Sequence, residues 1–427
     1  MGLLIKNGLV IDPENGIEEK LDLWIEDGII CAVGHDLSAD GAEVYDAKGC
    51  VVAPGLVDLH VHFREPGFEY KEDIESGSRA AAKGGVTTVV CMPNTKPAVD
   101  RRALVEYIVN RGKQVGLCNV LTCGCITKGQ MGEELAEIGE LKDAGAAAIS
   151  DDGRPVLSSS LMRKALEYAK MFQIPVFSHS EDLDLVDGGS MNEGSVSTRL
   201  GLRGIPKAAE SVAVSRDVLI AEQVGGRLHV CHVSTKNSID AIRAAKARGA
   251  QITAETAPHY FSLTDEACEG FCTNAKMNPP LRDRADVEAV IAGLKDGTID
   301  AIATDHAPHH RDEKEVEFDQ ACNGIVGLET SLGVGMTYLV RTGALTLPQL
   351  IEKMSTAPAK IIASDRGTLG VGKAADVVVF CPDESYVVDA ASLASKGKNT
   401  PYDKKTLWGK VKLTVCGGRI VYRDTEQ

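Results

Sequence analysis

Aromatic residues are scarce in this chain. They make up 4% of its 427 residues, with only 2 Trp, so the core has to be built mainly from Ala, Val, Ile and Leu. The hydrophobic fraction of 44% still suits a globular enzyme. No apolar run reaches the ~18–20 residues of a membrane span. No long apolar segment follows Met1–Lys6, so no signal peptide is expected, and Lys6 stands where a myristoylation motif wants Ser or Thr. The cytoplasm is the expected compartment. Positive charge is also short: 46 Lys and Arg face 61 Asp and Glu, a formal charge of −15, and no basic block occurs. That disfavours a nucleic-acid partner, which needs a basic patch. It is compatible with a positive pocket for a small anion. CxxC spacing is missing as well. Among 12 cysteines the only close pairs are Cys123 with Cys125 and Cys268 with Cys272, so no structural zinc is expected there. Several others (Cys91, Cys118, Cys231) sit in apolar runs, and the cysteines read as reduced core thiols.

Glycine is plentiful at 43 residues, which fits many tight turns. Up to about residue 50 the chain alternates apolar and polar residues, as a small antiparallel sheet would. Asn7-Gly8 and Asp27-Gly28 read as hairpin turns. From residue 51 the rhythm changes. Eight strand-like runs (51–62, 87–94, 115–122, 146–152, 175–179, 228–234, 252–255 and 301–306) alternate with helical patterns at 101–111, 131–144, 160–171, 211–223, 238–248 and 286–295. Eight βα units predict an α/β fold, a closed (β/α)8 TIM barrel. After a helical stretch around 347–362, strand-like text returns at 376–380, 407–415 and 419–422. The expected division is 1–52 and 365–427 as two parts of a small β-sandwich, with the barrel over 53–364, since chain termini often lie close together.

Residues able to bind metal recur at the ends of those runs: His60-Val61-His62, Asp151-Asp152, His179, His232 and Asp305-His306. Residues two apart in a strand share a face, so His60 and His62 aim at one point. Barrel enzymes place their chemistry at the C-terminal ends of the strands. A single buried histidine is more often structural than a ligand, but five clusters in phase predict two divalent metals. Zinc suits imidazole and carboxylate, and manganese or cobalt could substitute. One carboxylate should bridge the two ions. Asp152 is the choice, with Asp151 its rival unless Asp151 caps the following turn. Water held between two metals loses a proton near neutral pH and can attack a carbonyl. Asp305 is placed to carry the proton to a leaving nitrogen, while His306, facing the other way, reads as structural support.

A pocket cation should recognise the substrate. Arg64 lies two residues beyond His62, on the same face if the strand continues, and a guanidinium forks onto a carboxylate. Its plainer reading is a snorkelling surface residue. Asn94, Asn278 and His309 are candidates for the same ligand, against simple turn or loop roles. The charged segment 311–323 follows strand eight and is a candidate lid.

The strings His60-Val61-His62-Phe63-Arg64-Glu65-Pro66-Gly67 and Met92-Pro93-Asn94-Thr95, with Ser150-Asp151-Asp152-Gly153 and Thr304-Asp305-His306-Ala307-Pro308-His309, resemble the bacterial class I dihydroorotases of the amidohydrolase superfamily. The likeness runs nearly end to end. It implies one zinc on His60, His62, Asp152 and Asp305, and a second on Asp152, His179 and His232. It implies Asp305 as catalytic acid/base, and substrate contacts from His62, Arg64, Asn94, Asn278 and His309. The reaction implied is reversible closure of N-carbamoyl-L-aspartate to dihydroorotate in pyrimidine synthesis. Two departures stand out. Many relatives bridge their metals with a carboxylated lysine on strand four, and residues 146–152 contain none, so Asp152 takes that place. A loop that commonly reads Pro-Phe-Gly is here Cys322-Asn323-Gly324, where backbone contacts from Asn323 and Gly324 to the ring need no particular side chain.

Two rival readings remain. A hydantoinase or dihydropyrimidinase shares the barrel but usually carries the bridging lysine and has no need of Arg64. A non-catalytic scaffold of aspartate transcarbamoylase would have lost its ligands, and all six are present here. Association with that transferase by an active enzyme is a separate expectation, as is a homodimer.

Overall fold

The structure is a computed structural model that describes residues 2–425. Strands β1 (Leu3–Asp12), β2 (Ile17–Glu26), β3 (Ile29–Gly34), β4 (Glu43–Asp46) and β5 (Val51–Pro54) come first. The barrel strands are β6 (Leu56–Val61), β7 (Val86–Cys91), β8 (Asn119–Gly124), β9 (Ala148–Ser150) and β10 (Val176–Ser178). After a two-stranded pair, β11 (Met191–Asn192) and β12 (Gly204–Ile205), they resume with β13 (Leu228–Val230), β14 (Ile252–Thr256) and β15 (Ala301–Ile302). Strands β16 (Val377–Val387), β17 (Thr406–Cys416) and β18 (Arg419–Arg423) close the chain's secondary structure.

The eight barrel strands pair in parallel in sequence order. Beyond the last strand His62 N donates to His306 O at 2.9 Å, and Val61 bridges His306, joining β6 to the segment that follows β15. This is the expected α/β barrel. The interior is packed by small and branched side chains, among them Val57, Leu59, Val90, Ala148 and Ala301, and by the ring of Phe177. The helices keep to the expected phase, as at Arg102–Val115, Ser159–Met171 and Ala208–Val224. The segment expected to be helical over 131–144 forms a helix only at Ile138–Asp143.

The two ends of the chain do share one sheet, in the order β18-β17-β16-β5-β1-β2-β3 with β4 beside β1. It has its own core, which includes Ile5, Val10, Leu23, Val377 and Val415. Three expectations need correcting here. The N-terminal strands are not purely antiparallel, because β1 runs parallel to both β4 and β5. Asn7-Gly8 is no turn: it lies inside β1 where the register shifts against β2, a bulge with Asn7 at φ 64°. Asp27-Gly28 does turn the chain between β2 and β3. Finally, not every cysteine is a free thiol. Phe380 pairs with Val51 in the β16–β5 ladder, so Cys381 and Cys50 stand side by side and are joined by a disulfide; the other ten are free. A sequence separation of 331 residues hides that adjacency.

Candidate metal centre and its pocket

Strand β6 delivers the first two ligands through an irregularity. Its register against β7 slips between Asp58 and Val61, leaving one extra residue on β6. A bulge of this kind re-aims side chains. Val57 and Leu59 fill the barrel interior, and beyond the slip His60 and His62 also turn to the centre. Asp58 anchors the stretch, its carboxylate accepting from His60 N and Thr304 N at 3.1 Å each. Strands β9, β10, β13 and β15 end just before Asp152, His179, His232 and Asp305. All six expected ligands are buried.

They converge. Asp152 Oδ1 lies 3.3 Å from His60 Nε2, 3.4 Å from His179 Nδ1 and 3.6 Å from His232 Nε2. Its other oxygen is 3.6 Å from His62 Nε2. Asp305 Oδ1 stands 3.1 Å from His62 Nε2 and 3.6 Å from His60 Nε2. Three overlapping triads have donor atoms within 4.8 Å of one another: His60, His62, Asp152; His60, His232, Asp305; and Asp152, His179, His232. Asp152 belongs to two of these, on the His60–His62 side and on the His179–His232 side, where a bridging carboxylate has to be.

These residues fit metal ions on a feature of their own geometry. His60 Nε2 and Asp152 Oδ1 are buried and have no hydrogen-bond partner, although both point into the cluster. Buried polar atoms are normally satisfied, and a divalent cation satisfies an imidazole nitrogen and a carboxylate oxygen together. The electrostatics agree. Burial opposes charge, yet His60 holds Asp152 and Asp305 well below the usual carboxylate range. Burial likewise opposes protonation of His179, but Asp152 and Glu181 raise it to about 10. Without a cation His60 and His179 favour their protonated forms, and a bound metal would displace those protons.

The outer partners were less legible. Glu255, near the end of β14, presents Oε1 to His60 Nδ1 at 2.8 Å and Oε2 to His229 Nε2 at 3.1 Å, while His229 Nδ1 meets Thr253 Oγ1 at 2.8 Å. Burial works against that carboxylate, yet His229 and His60 hold it at about 2. The chain fixes the tautomer of His60, leaving Nε2 for the centre. Glu181 does the same for His179 at 3.4 Å and also accepts from Asn278 Nδ2 at 3.3 Å. Neither acid stands out in the sequence. The available signal was an acid in phase with a strand-end histidine, as in His179-Ser180-Glu181. Asp151 is no ligand: its carboxylate accepts from Ile126 N and Thr127 N, and from the Thr127 hydroxyl. His306 faces away, accepts from Gly327 N at 3.1 Å and approaches Glu72, as its supporting role requires.

A cleft of about 210 Å³ opens above the centre, lined by His62, Arg64, Asn94, Asn278, His309 and Asn323 among others. Gly324 is next in the chain; its carbonyl accepts from Asn399, and it is not among the lining residues. Arg64 arrives there differently from expectation. Strand β6 stops at Val61, and Arg64 adopts a left-handed backbone, φ 62°. Its guanidinium donates to Pro308 O at 3.3 Å and lies 3.4 Å from His309 Nε2. His232 (φ 37°) and Asp305 (φ 47°) share that conformation. Such strain in non-glycine residues collects at functional sites. Asn94 Oδ1 meets His62 Nδ1 at 2.9 Å, so it steadies a ligand as well as lining the cleft.

The family model described as dihydro-orotase-like matches residues 49–238, and the amidohydrolase family model matches 221–422. Dihydroorotases of Pelobacter propionicus and Citrifermentans bemidjiense are 57% and 58% identical to this chain over 424 residues, covering 99% of it and 100% of each of them. The chain belongs to the dihydroorotase family. Among solved structures, the L-hydantoinase (dihydropyrimidinase) of Arthrobacter aurescens superposes with a TM-score of 0.89 at 27% identity, covering 99% of this chain and 96% of its own. A dihydropyrimidinase from Brevibacillus agri, at 23% identity, TM-score 0.87 and 99% and 95% coverage, shares the fold. As a dihydroorotase-family protein the chain is a metal-dependent cyclic amidohydrolase, and Asp152 is shared by two of the residue groups that could hold a metal. No helix among the described residues is long and apolar enough to cross a membrane.

Proposed function

We propose that this chain interconverts (S)-dihydroorotate and N-carbamoyl-L-aspartate, using two zinc ions held by His60, His62, Asp152 and Asp305 on one side and Asp152, His179 and His232 on the other. The observation that carries this reading is the placement of Arg64 and His309 together over the metal-ligand cluster, in a cleft of about 210 Å³. A guanidinium that pairs with no carboxylate among the described residues is the group a substrate carboxylate requires. The rings that hydantoinases open do not call for it.

The zinc pair, when bound, supplies Lewis acidity at the scissile carbonyl and makes water a better nucleophile. Asp305 takes the proton from the attacking water and hands it to the ring nitrogen as the carbonyl carbon–nitrogen bond breaks. The oxygen of water stays on the new carboxylate, and the second water proton passes to solvent, from which it returns in the closing direction. In the closing direction Asp305 receives the proton from the ureido nitrogen. Arg64, Asn94, Asn278 and His309 orient the substrate, and Asn323 lies beside it in the cleft wall; Gly324, whose N–H donates to Lys276 O and whose carbonyl accepts from Asn399, takes no part. The segment 311–323, whose Lys314 donates to Cys322 O, serves as lid.

Zinc-loaded enzyme should open dihydroorotate and close carbamoyl aspartate while leaving dihydrouracil untouched. The opposite preference sinks this reading in favour of a hydantoinase. Arg64→Ala should raise KM for dihydroorotate roughly 10–100-fold, the loss of a charge-assisted pair, with zinc content unchanged. Asp305→Ala should abolish turnover, whereas a scaffold of aspartate transcarbamoylase would be indifferent to it. A cytoplasmic homodimer, two-fold symmetry being the commonest closed assembly, completes the reading and is tested by light scattering. Co-purification tests association with the transferase.

A further inference from the structure

A second cavity, of about 320 Å³, lies beside the catalytic cleft and shares His309 with it. Lysine concentrates on its walls. Lys71, Lys314, Lys396 and Lys398 all line it, in a chain whose formal charge is −15. A local excess of one sign focuses potential in a concave site. Two of these ammonium groups are compensated, Lys71 by Glu313 at 2.8 Å and Lys396 by Asp73. The cavity's arginine, Arg311, is occupied by Glu315 at 2.6 Å.

Lys314 and Lys398 differ. Neither has a carboxylate partner among the described residues. Lys314 is 4% exposed, and its ammonium donates only to the carbonyls of Cys322, at 2.7 Å, and Gly324, at 3.2 Å. Lys398 donates to the carbonyls of Leu393 and Ser395. Lys276 repeats the pattern nearby, donating to Asp319 O at 2.9 Å. A buried cation held by carbonyl dipoles alone lacks a counter-charge, which is costly. Burial accordingly lowers Lys314 to about 8. An anion in the cavity would supply the missing charge.

We propose that this cavity binds a phosphate group, as the free ion or carried on a small ester, with Lys314 and Lys398 as its principal charges. Lysine acts on a tetrahedral oxyanion as a point charge, whereas a planar carboxylate is matched by a forked guanidinium, and that fork stands in the catalytic cleft as Arg64. The space is about ten times one water's share of liquid volume, which leaves room for an organic body behind the phosphate.

The test is calorimetric titration of the zinc-loaded enzyme with inorganic phosphate and, separately, with glycerol phosphate. Saturable binding of either is expected, and the tighter of the two identifies the source. Lys398→Ala, an exposed substitution that leaves turnover intact, should weaken binding roughly tenfold, and Lys314→Met should abolish it. Arg64→Ala should leave it unchanged. The proposal is overturned if nothing binds up to about 10 mM, if Lys398→Ala binds as wild type does, or if Arg64→Ala removes the binding, which would place the anion in the catalytic cleft. Turnover of dihydroorotate by the same samples reports on the catalytic reading independently.

Discussion

Single side chains divide here into those that face a ligand and those that hold them. Glu255 is of the second kind. It spans from His229 to the back of His60, so Glu255→Gln keeps the shape but weakens the orientation and basicity of a ligand. Zinc affinity, read by competition with a chelator, should fall about 10–100-fold, and unchanged affinity would remove Glu255 from this role. His309 carries a pH prediction. Burial first, then Arg64 and Lys71, lowers it to about 3. Its folded value lies below the usual ~6.5, so the imidazole is neutral from about pH 3 upward and gains no charge as pH falls through 6.5. KM for dihydroorotate should show no inflection there from this residue; one that vanishes in His309→Asn contradicts the assignment. All six candidate ligands could be read from the sequence because strand alternation and end-of-strand position fix where such side chains go. Glu255 and Glu181 could not, because an acid that touches only a histidine's far nitrogen is recognisable only once the barrel is closed.

At the level of elements, the βα rhythm was legible because apolar runs and helical periods differ in length and spacing. Its departures come from tertiary pairing. The slip on β6 and the bulge at Asn7-Gly8 are set by neighbouring strands, and the same Asn-Gly text in a free segment would read as a turn. Arg64 shows the limit of extrapolating a strand, since the chain turns before reaching it. Helix Ile74–Lys83 supports this corner. A Cβ on Gly77 would sit 2.5 Å from the Phe63 ring, which lies edge-on to His306 at 6.5 Å. Gly77→Val forces that ring toward the histidine and should cost about 1–3 kcal/mol of stability, read as a lower denaturant midpoint. A midpoint equal to wild type would mean that the corner relaxes freely.

For the whole molecule, the metal centre is also a fastener. Its candidate ligands lie within or just after β6, β9, β10, β13 and β15, strands scattered from residue 56 to 302, so one small cluster would tie together five of the barrel's eight strands. An unfolded chain cannot hold these six donors in place, so a divalent metal that binds them favours the folded state by mass action. At a zinc concentration one hundred times its dissociation constant, a site contributes about 2.7 kcal/mol. The metal-free protein has a further handicap, since the buried His60 Nε2 and Asp152 Oδ1 then have no hydrogen-bond partner. Stripping the metal with a chelator should lower Tm by several degrees, zinc should restore it, and the shift should grow with zinc concentration. A Tm that stays constant after verified loss of zinc would show that the barrel closes without help from its centre, and that the strained backbone at His232 and Asp305 is held by the packing around it.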